Sequence, residues 1–308
     1  MWKSADVLVD GAVSLAKFLG VSALVIGLTI VAMGTSAPEV AASIAAALRD
    51  SPDIAIGNVY GSNIANLALV GGFCAIIAPI LINKKMLRCE IPVMLAVGLL
   101  LWPALFDTML SRGEGIFLLT IFAVLIFLTV YFARKQGNSL KVSGAEELEK
   151  ISSQMSIQKS VVFIVIGLAG LAIGAEMTVR GAVFIGERIG LSSAVIGLTI
   201  IAIGTSLPEL MTCVVAALKG QNDLSIGNLI GSNVFNTLLV TGVAGCVRPL
   251  TVVSRLAGGV DYWIMMGVST GFAVIALLGR GKIGRTGGAI LLFGYVIYMV
   301  YLLKPAVS

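Results

Sequence analysis

The chain has 308 residues, 58% of them hydrophobic and only 12% charged, with a mean hydropathy of +1.02, whereas soluble domains carry about 25% charged residues. Apolar runs of membrane-spanning length, at least about 17 residues, recur from end to end, which excludes a soluble enzyme and describes a polytopic protein partnered by the lipid bilayer. The excess of 21 Lys and Arg over 16 Asp and Glu reads as anchoring in cytoplasmic loops and implies no nucleic-acid partner.

In chain order, spans are predicted near residues 21–48, 54–79, 91–110, 115–132, 161–186, 193–218, 224–247, 260–278 and 286–303. The segment before them carries Lys3, Asp6, Asp10 and Lys17 and is too polar to be an apolar run of 20 residues. A polar stretch, 134–160, holds Glu146, Glu147 and Glu149 among five basic residues. It reads as a cytoplasmic linker between a first membrane unit, 1–133, and a second, 161–308. The four cysteines show no CxxC spacing, and histidine is absent, so the usual ligand of zinc and copper is missing.

Shifting the chain by 170 residues overlays 6–80 on 176–250 with 33 identities in 75 positions. VIGLTI, GTSxPE, IGN and GSNxxN all recur at this offset. The second copy has a full first helix where the first copy begins late, so a tenth span is expected on the strength of the repeat. An odd number of spans per unit, five, inverts the second copy relative to the first. That is a transporter architecture, with its site at the repeat interface near the bilayer midplane. With the N-terminus outside, thirteen of the 21 basic residues fall on the cytoplasmic side.

Glu39 and Glu209 lie inside long apolar runs, where a carboxylate costs several kcal/mol unless paired, hydrated or bound to a cation. Pro38 and Pro208 lack an N–H, so each helix should break at GTSxPE and free carbonyls around residues 32–35 and 202–205. The hydroxyls of Thr35, Ser36, Thr205 and Ser206 complete an all-oxygen set that suits Ca²⁺ or Na⁺ better than soft metals. On the next helix Ser62, Asn63 and Asn66 share a face, and Ser232, Asn233 and Asn236 repeat it. Asn63 and Asn233 read equally well as glue between helices, Asn66 and Asn236 as ligands or their supports. Small-residue spacing at Gly57 and Gly61, and at Gly227 and Gly231, should let helices approach closely.

Two copies of GTSxPE and GNxxGSNxxN resemble the Ca²⁺/cation antiporter superfamily, and within it the sodium/calcium exchanger branch, over almost the whole chain. The resemblance implies an all-α membrane fold of about ten helices in two inverted five-helix repeats. The glutamate ligands it implies match Glu39 and Glu209. Backbone and hydroxyl ligands match Ala32, Thr35, Ser36 and Ser62 in one repeat and Ala202, Thr205, Ser206 and Ser232 in the other, and the amide position matches Asn66. One departure stands out: Asn236 occupies a position that is an aspartate in many exchangers.

The expected activity is antiport of Ca²⁺ against Na⁺ across a prokaryotic cell membrane by alternating access, with these ions as substrates, no cofactor and no obligate protein partner. The nearest alternative is Ca²⁺/H⁺ exchange. A cation channel fits the broken helices less well, and an intramembrane protease would need a nucleophile that the motifs do not offer. With no GxxxxGK[ST] loop, ATP-driven pumping has no support.

Overall fold

A computed structural model describes residues 1–141, 155–188, 202–254 and 256–307. Almost all of it is helical. Trp2–Leu19 (α1) is followed by Ala23–Thr35 (α2) and Ala37–Leu48 (α3), then Pro52–Ile77 (α4), Met86–Ala104 (α5) and Arg112–Lys141 (α6). The second half carries Ile157–Arg188 (α7), the short Ala202–Thr205 (α8), Leu207–Leu218 (α9), Asn222–Val247 (α10), Val260–Leu278 (α11) and Arg285–Val307 (α12). Four two-residue strands punctuate the loops: Ile80–Leu81 (β1), Met109–Leu110 (β2), Leu250–Thr251 (β3) and Lys282–Ile283 (β4).

Seven described helices are long and apolar enough to cross a membrane, or eight when α2 and α3, bent by 43° at their junction, are taken as one broken span. The predicted span 193–218 falls partly on residues 189–201, which lie outside the described residues. Two predicted boundaries are corrected. The span drawn to residue 110 ends as a helix at Ala104, and Met109 and Leu110 pair as a strand instead. The linker drawn from residue 134 begins inside a helix, because α6 continues to Lys141. Extending an existing helix gains one hydrogen bond per residue fixed, so leaving the apolar run at Ala133 does not end it.

The elements of the two halves recur in the same order: α3 matches α9, α4 matches α10 and β1 matches β3 at the 170-residue offset of the sequence repeat, and β2 matches β4 at an offset of 173. The strands pair across the halves, β1 with β4 and β2 with β3, both antiparallel. Each pairing clips a loop of one half to a loop of the other. In the first clip Ile82 N–H donates to the Gly281 carbonyl at 2.7 Å. Gly281 has φ +87°, and a Cβ there would sit 2.6 Å from the Ile82 oxygen, so this turn requires glycine.

Glycine also sets the helix contacts. A Cβ at Gly11 of α1 would meet the Ser160 carbonyl at 2.8 Å, and one at Gly167 of α7 would meet Leu8 Cβ at 2.7 Å, so α1 lies directly against α7. Across the halves, a Cβ at Gly27 would meet the Leu224 carbonyl at 2.7 Å and one at Gly227 the Leu24 carbonyl at 2.7 Å. Gly231 is pressed against Ala32 and Leu28, bringing α10 onto the GTSxPE break of the first half. The counterparts expected for Gly57 and Gly61, residues 194–201, lie outside the described residues. The outer faces of α6, α7 and α12 carry exposed Phe117, Phe127, Ile173 and Phe293, a surface suited to lipid.

Candidate cation site

Both GTSxPE segments break as their prolines require. Ser36 (φ −83°, ψ 5°) and Ser206 (φ −87°, ψ 4°) each separate two helical pieces, with Pro38 and Pro208 in the first turn of the new helix. Glu39 and Glu209 therefore occupy the first turn of α3 and α9, where the positive end of the helix dipole favours a carboxylate. Both are completely buried. Among the described residues, the buried set contains no Lys or Arg, so neither carboxylate has a buried basic partner. The two also lie within electrostatic reach of each other.

The halves interlock here. Ser36 Oγ donates to Glu209 Oε1 at 3.2 Å and Thr35 Oγ1 to Asn228 Oδ1 at 3.1 Å, both from the first half to the second. Ser62 and Ser232 stand within polar reach of Glu39 and Glu209, respectively. Asn63 Nδ2 donates to Thr237 Oγ1 at 2.9 Å, so this amide does join helices of the two halves, whereas Asn233 Nδ2 donates to the Leu229 carbonyl of its own helix at 2.8 Å. Asn66 lies within, and Asn236 opens, π-helical turns spanning Ala65–Val70 and Asn236–Val240, a distortion frequent at functional sites.

Twelve buried side-chain N or O atoms among the described residues have no hydrogen-bond partner. They belong to Glu39, Ser206, Glu209 and Thr212 on the broken helices, and to Asn63, Asn66, Ser232, Asn233 and Asn236 on α4 and α10. An unpaired buried polar group costs about 1–3 kcal/mol and native proteins hold few of them. Their confinement to these segments marks a place built to surround something polar. The donor set is carboxylate, hydroxyl and amide oxygen, which fits a hard cation.

Of the sequence candidates, Glu39, Glu209, Ser36, Thr35, Ser62, Ser232, Asn66, Asn236 and Ser206 are buried on the elements that meet at these breaks. Thr205 is half-buried at the break. Ala202 opens α8. The Ala32 carbonyl already accepts the Ser36 N–H at 3.0 Å and the Thr35 hydroxyl at 3.4 Å, so it is not a free carbonyl as the motif led one to expect. Gly34, the carbonyl four residues before Pro38, is the one left without its usual N–H.

Three supports escaped the sequence reading. Asn58 Nδ2 donates to the Glu39 carbonyl at 3.2 Å and to Ser43 Oγ at 3.0 Å, tying α4 to the glutamate's own turn. Asn228 Nδ2 meets Cys213 Sγ at 3.4 Å in the matching place. Both asparagines belong to the repeated IGN, whose recurrence was a usable signal. Thr212 is fully buried with an unpartnered hydroxyl one turn beyond Glu209, and its repeat counterpart is Ala42, so no repeat signal existed for it.

A helical membrane protein with broken spans around paired, unsatisfied carboxylates has the build of an ion transporter rather than an enzyme. The comparisons with known proteins narrow that class. The family model described as sodium/calcium exchanger protein matches residues 1–131 and 159–304. The chain belongs to the sodium/calcium exchanger family, and is a multi-pass membrane antiporter of the cation/Ca²⁺ class. It is 41% identical over 302 residues to the putative antiporter CaxA of Alkalimonas amylolytica, covering 97% of this chain and 94% of that one. It is 34% identical to the sodium/calcium exchanger MaX1 of Methanosarcina acetivorans, covering 97% and 94%. The solved structure of the sodium-calcium exchanger NCX_Mj, soaked without Na⁺ and Ca²⁺, superposes with a TM-score of 0.82 at 32% identity, covering 98% of this chain and 94% of that one.

Proposed function

We propose that the chain exchanges Ca²⁺ for Na⁺ by alternating access, both ions competing for one site between Glu39 and Glu209, in a frame of ten spans arranged as two inverted five-helix repeats with the N-terminus outside. The observation that carries this reading is the pair of buried carboxylates that, among the described residues, have no buried basic partner and are ringed by unpartnered hydroxyl and amide groups. Charge in a low-dielectric interior must be balanced, and two carboxylates balance one Ca²⁺ or two Na⁺. Three Na⁺ would leave one positive charge uncompensated, because Asn66 and Asn236 cannot ionise. Coupling needs no separate device: if the site crosses the membrane only when its charge is balanced, the gradient of one ion drives the other.

The hydroxyls of Ser36 and Thr35 reach across to the second half. A movement that opens one half from the other therefore changes the surroundings of both glutamates at once, as a gate coupled to occupancy requires.

The test is ⁴⁵Ca²⁺ flux in proteoliposomes under an imposed Na⁺ gradient, and separately under an imposed pH gradient. Flux driven by Na⁺ and not by protons is expected. Proton-driven flux indifferent to Na⁺ would replace this reading with Ca²⁺/H⁺ exchange, the carboxylates being protonated on the return step. Orientation is tested by a cysteine introduced at Ser143 in a Cys89→Ser background, which should react with an impermeant maleimide only from the cytoplasmic side.

A further inference from the structure

The two strand clips occupy matching positions in the duplicated fold but differ in charge. Around β1 and β4, residues 78–88 and 279–285 carry Lys84, Lys85, Arg88, Arg280, Lys282 and Arg285 and no acidic residue. All six are exposed. Among the described residues two carboxylates come to this clip: Glu90, drawn to Lys85, and Asp223 of α10, whose Oδ1 accepts from Asn83 Nδ2 at 3.4 Å, so the six cations outnumber the acids beside them. Around β3 and β2 the matching windows, 248–258 and 106–112, carry Arg112, Arg248 and Arg255 with Asp107, and Glu114 follows two residues on. Two further carboxylates come to that clip from α4 and its preceding loop: Asp53 Oδ1 accepts the Val253 N–H at 2.9 Å, and Asp50 pairs with Arg248 at 3.0 Å.

The basic clip also sits at a defined depth. Four membrane-spanning helices end or begin beside it: α4 ends at Ile77, α5 begins at Met86, α11 ends at Leu278 and α12 begins at Arg285. The pairing of Leu81 with Lys282 draws the two basic loops onto one face, and Arg285 Nε holds the α4 end through the Ile76 carbonyl at 3.2 Å. Beside the cations stand Leu81, Leu277 and Leu278, exposed by 52%, 58% and 81%. Cations flanked by protruding leucines at the ends of membrane spans form a surface that is apolar on its membrane side and positive at its rim.

We infer that the β1·β4 clip is a docking surface for the phosphate-bearing headgroups of anionic phospholipids, with Leu81, Leu277 and Leu278 set among the first carbons of their acyl chains. Zwitterionic lipid offers the same acyl chains but no net negative charge, so the clip discriminates by headgroup. The opposite clip, whose arginines are offset by Asp50, Asp53 and Glu114, does not. The inference concerns lipid recognition alone and stands whichever ion drives transport.

The test is native mass spectrometry of the whole protein released from vesicles of equal phosphatidylcholine and phosphatidylglycerol, counting the lipids retained. The wild type should retain phosphatidylglycerol preferentially and release it as ionic strength rises. Each basic residue near a charged surface contributes about fivefold, so Lys84→Gln/Arg88→Gln/Lys282→Gln should weaken retention on the order of a hundredfold. Arg112→Gln/Arg248→Gln, at the other clip, should leave it unchanged. The salt arm needs only wild-type protein, so a variant that fails to fold does not remove the test. Equal retention of the two lipids, salt-independent retention, or loss in the opposite-clip variant would overturn the inference, as would displacement of the lipid by millimolar inorganic phosphate, which would assign the clip to a free anion.

Discussion

The half-sites around Glu39 and Glu209 are copies of one motif, yet they are not chemically equivalent. Glu209 accepts a hydrogen bond from Ser36, whereas among the described residues neither oxygen of Glu39 has one, Ser62 standing only within polar reach. Behind Glu39 the support is Asn58 with the hydroxyl of Ser43, and behind Glu209 it is Asn228 with the thiol of Cys213, while Thr212 takes the place of Ala42. Duplication supplied the broken helix and the acid twice. Substitution at a few neighbouring positions then made one half better satisfied than the other, so in the proposed site the two glutamates would meet a cation from different starting points.

The largest effect should erase the comparison altogether. Glu39→Gln and Glu209→Gln each leave a doubly charged ion half neutralised in a low-dielectric site. Ca²⁺ flux should fall by at least about a hundredfold in either, with the protein still monodisperse on gel filtration. Near-normal flux in one of them would show that this half is dispensable.

Asn236→Asp should come next. It places a third ionisable group beside the π-helical turn of the second half, so flux should become more pH-dependent than in the wild type, falling further as acid titrates the clustered carboxyls. Wild-type flux should also proceed without K⁺. Superimposable pH profiles, or an absolute K⁺ requirement in the wild type, would place residue 236 outside the ion site.

A smaller effect sharpens the asymmetry. Ser36→Ala removes the hydrogen bond to Glu209, and a bond to a charged group is worth about 1.5–3 kcal/mol. Apparent Ca²⁺ affinity should change roughly tenfold or more, and by less in Ser206→Ala, whose hydroxyl has no partner. Equal changes would mean that the halves behave alike. The smallest effect concerns stability: Thr212→Val replaces an unpartnered buried hydroxyl with a methyl, so Tm measured without cations should hold or rise. A fall of several degrees would show that the hydroxyl is bonded.

Much of the site was legible because it is written twice. The repeated Pro-Glu pairs gave the helix breaks and the acids, and the repeated GSNxxN gave the face that meets them. Legibility failed where the structure depends on contacts across the halves. Nothing in the order of residues says that Ser36 serves the other half's glutamate, that the Ala32 carbonyl is taken up locally, or that Asn58 reaches the turn of Glu39. The strand clips were invisible as well: Ile80–Leu81 and Lys282–Ile283 are too short to carry a strand pattern, and they exist because loops some 200 residues apart are brought together. The spans on described residues were readable from hydropathy, except that hydropathy does not mark where the helices α5 and α6 end.

The central claim is that one site serves both ions. Equilibrium binding of ⁴⁵Ca²⁺ to purified wild-type protein, titrated at several fixed Na⁺ concentrations, tests it directly. Na⁺ should raise the apparent Kd for Ca²⁺ without lowering the number of sites, and Glu39→Gln should abolish the high-affinity binding. A capacity that falls with Na⁺ while Kd stays constant, or Ca²⁺ binding that persists in Glu39→Gln, would contradict a shared site between the two glutamates.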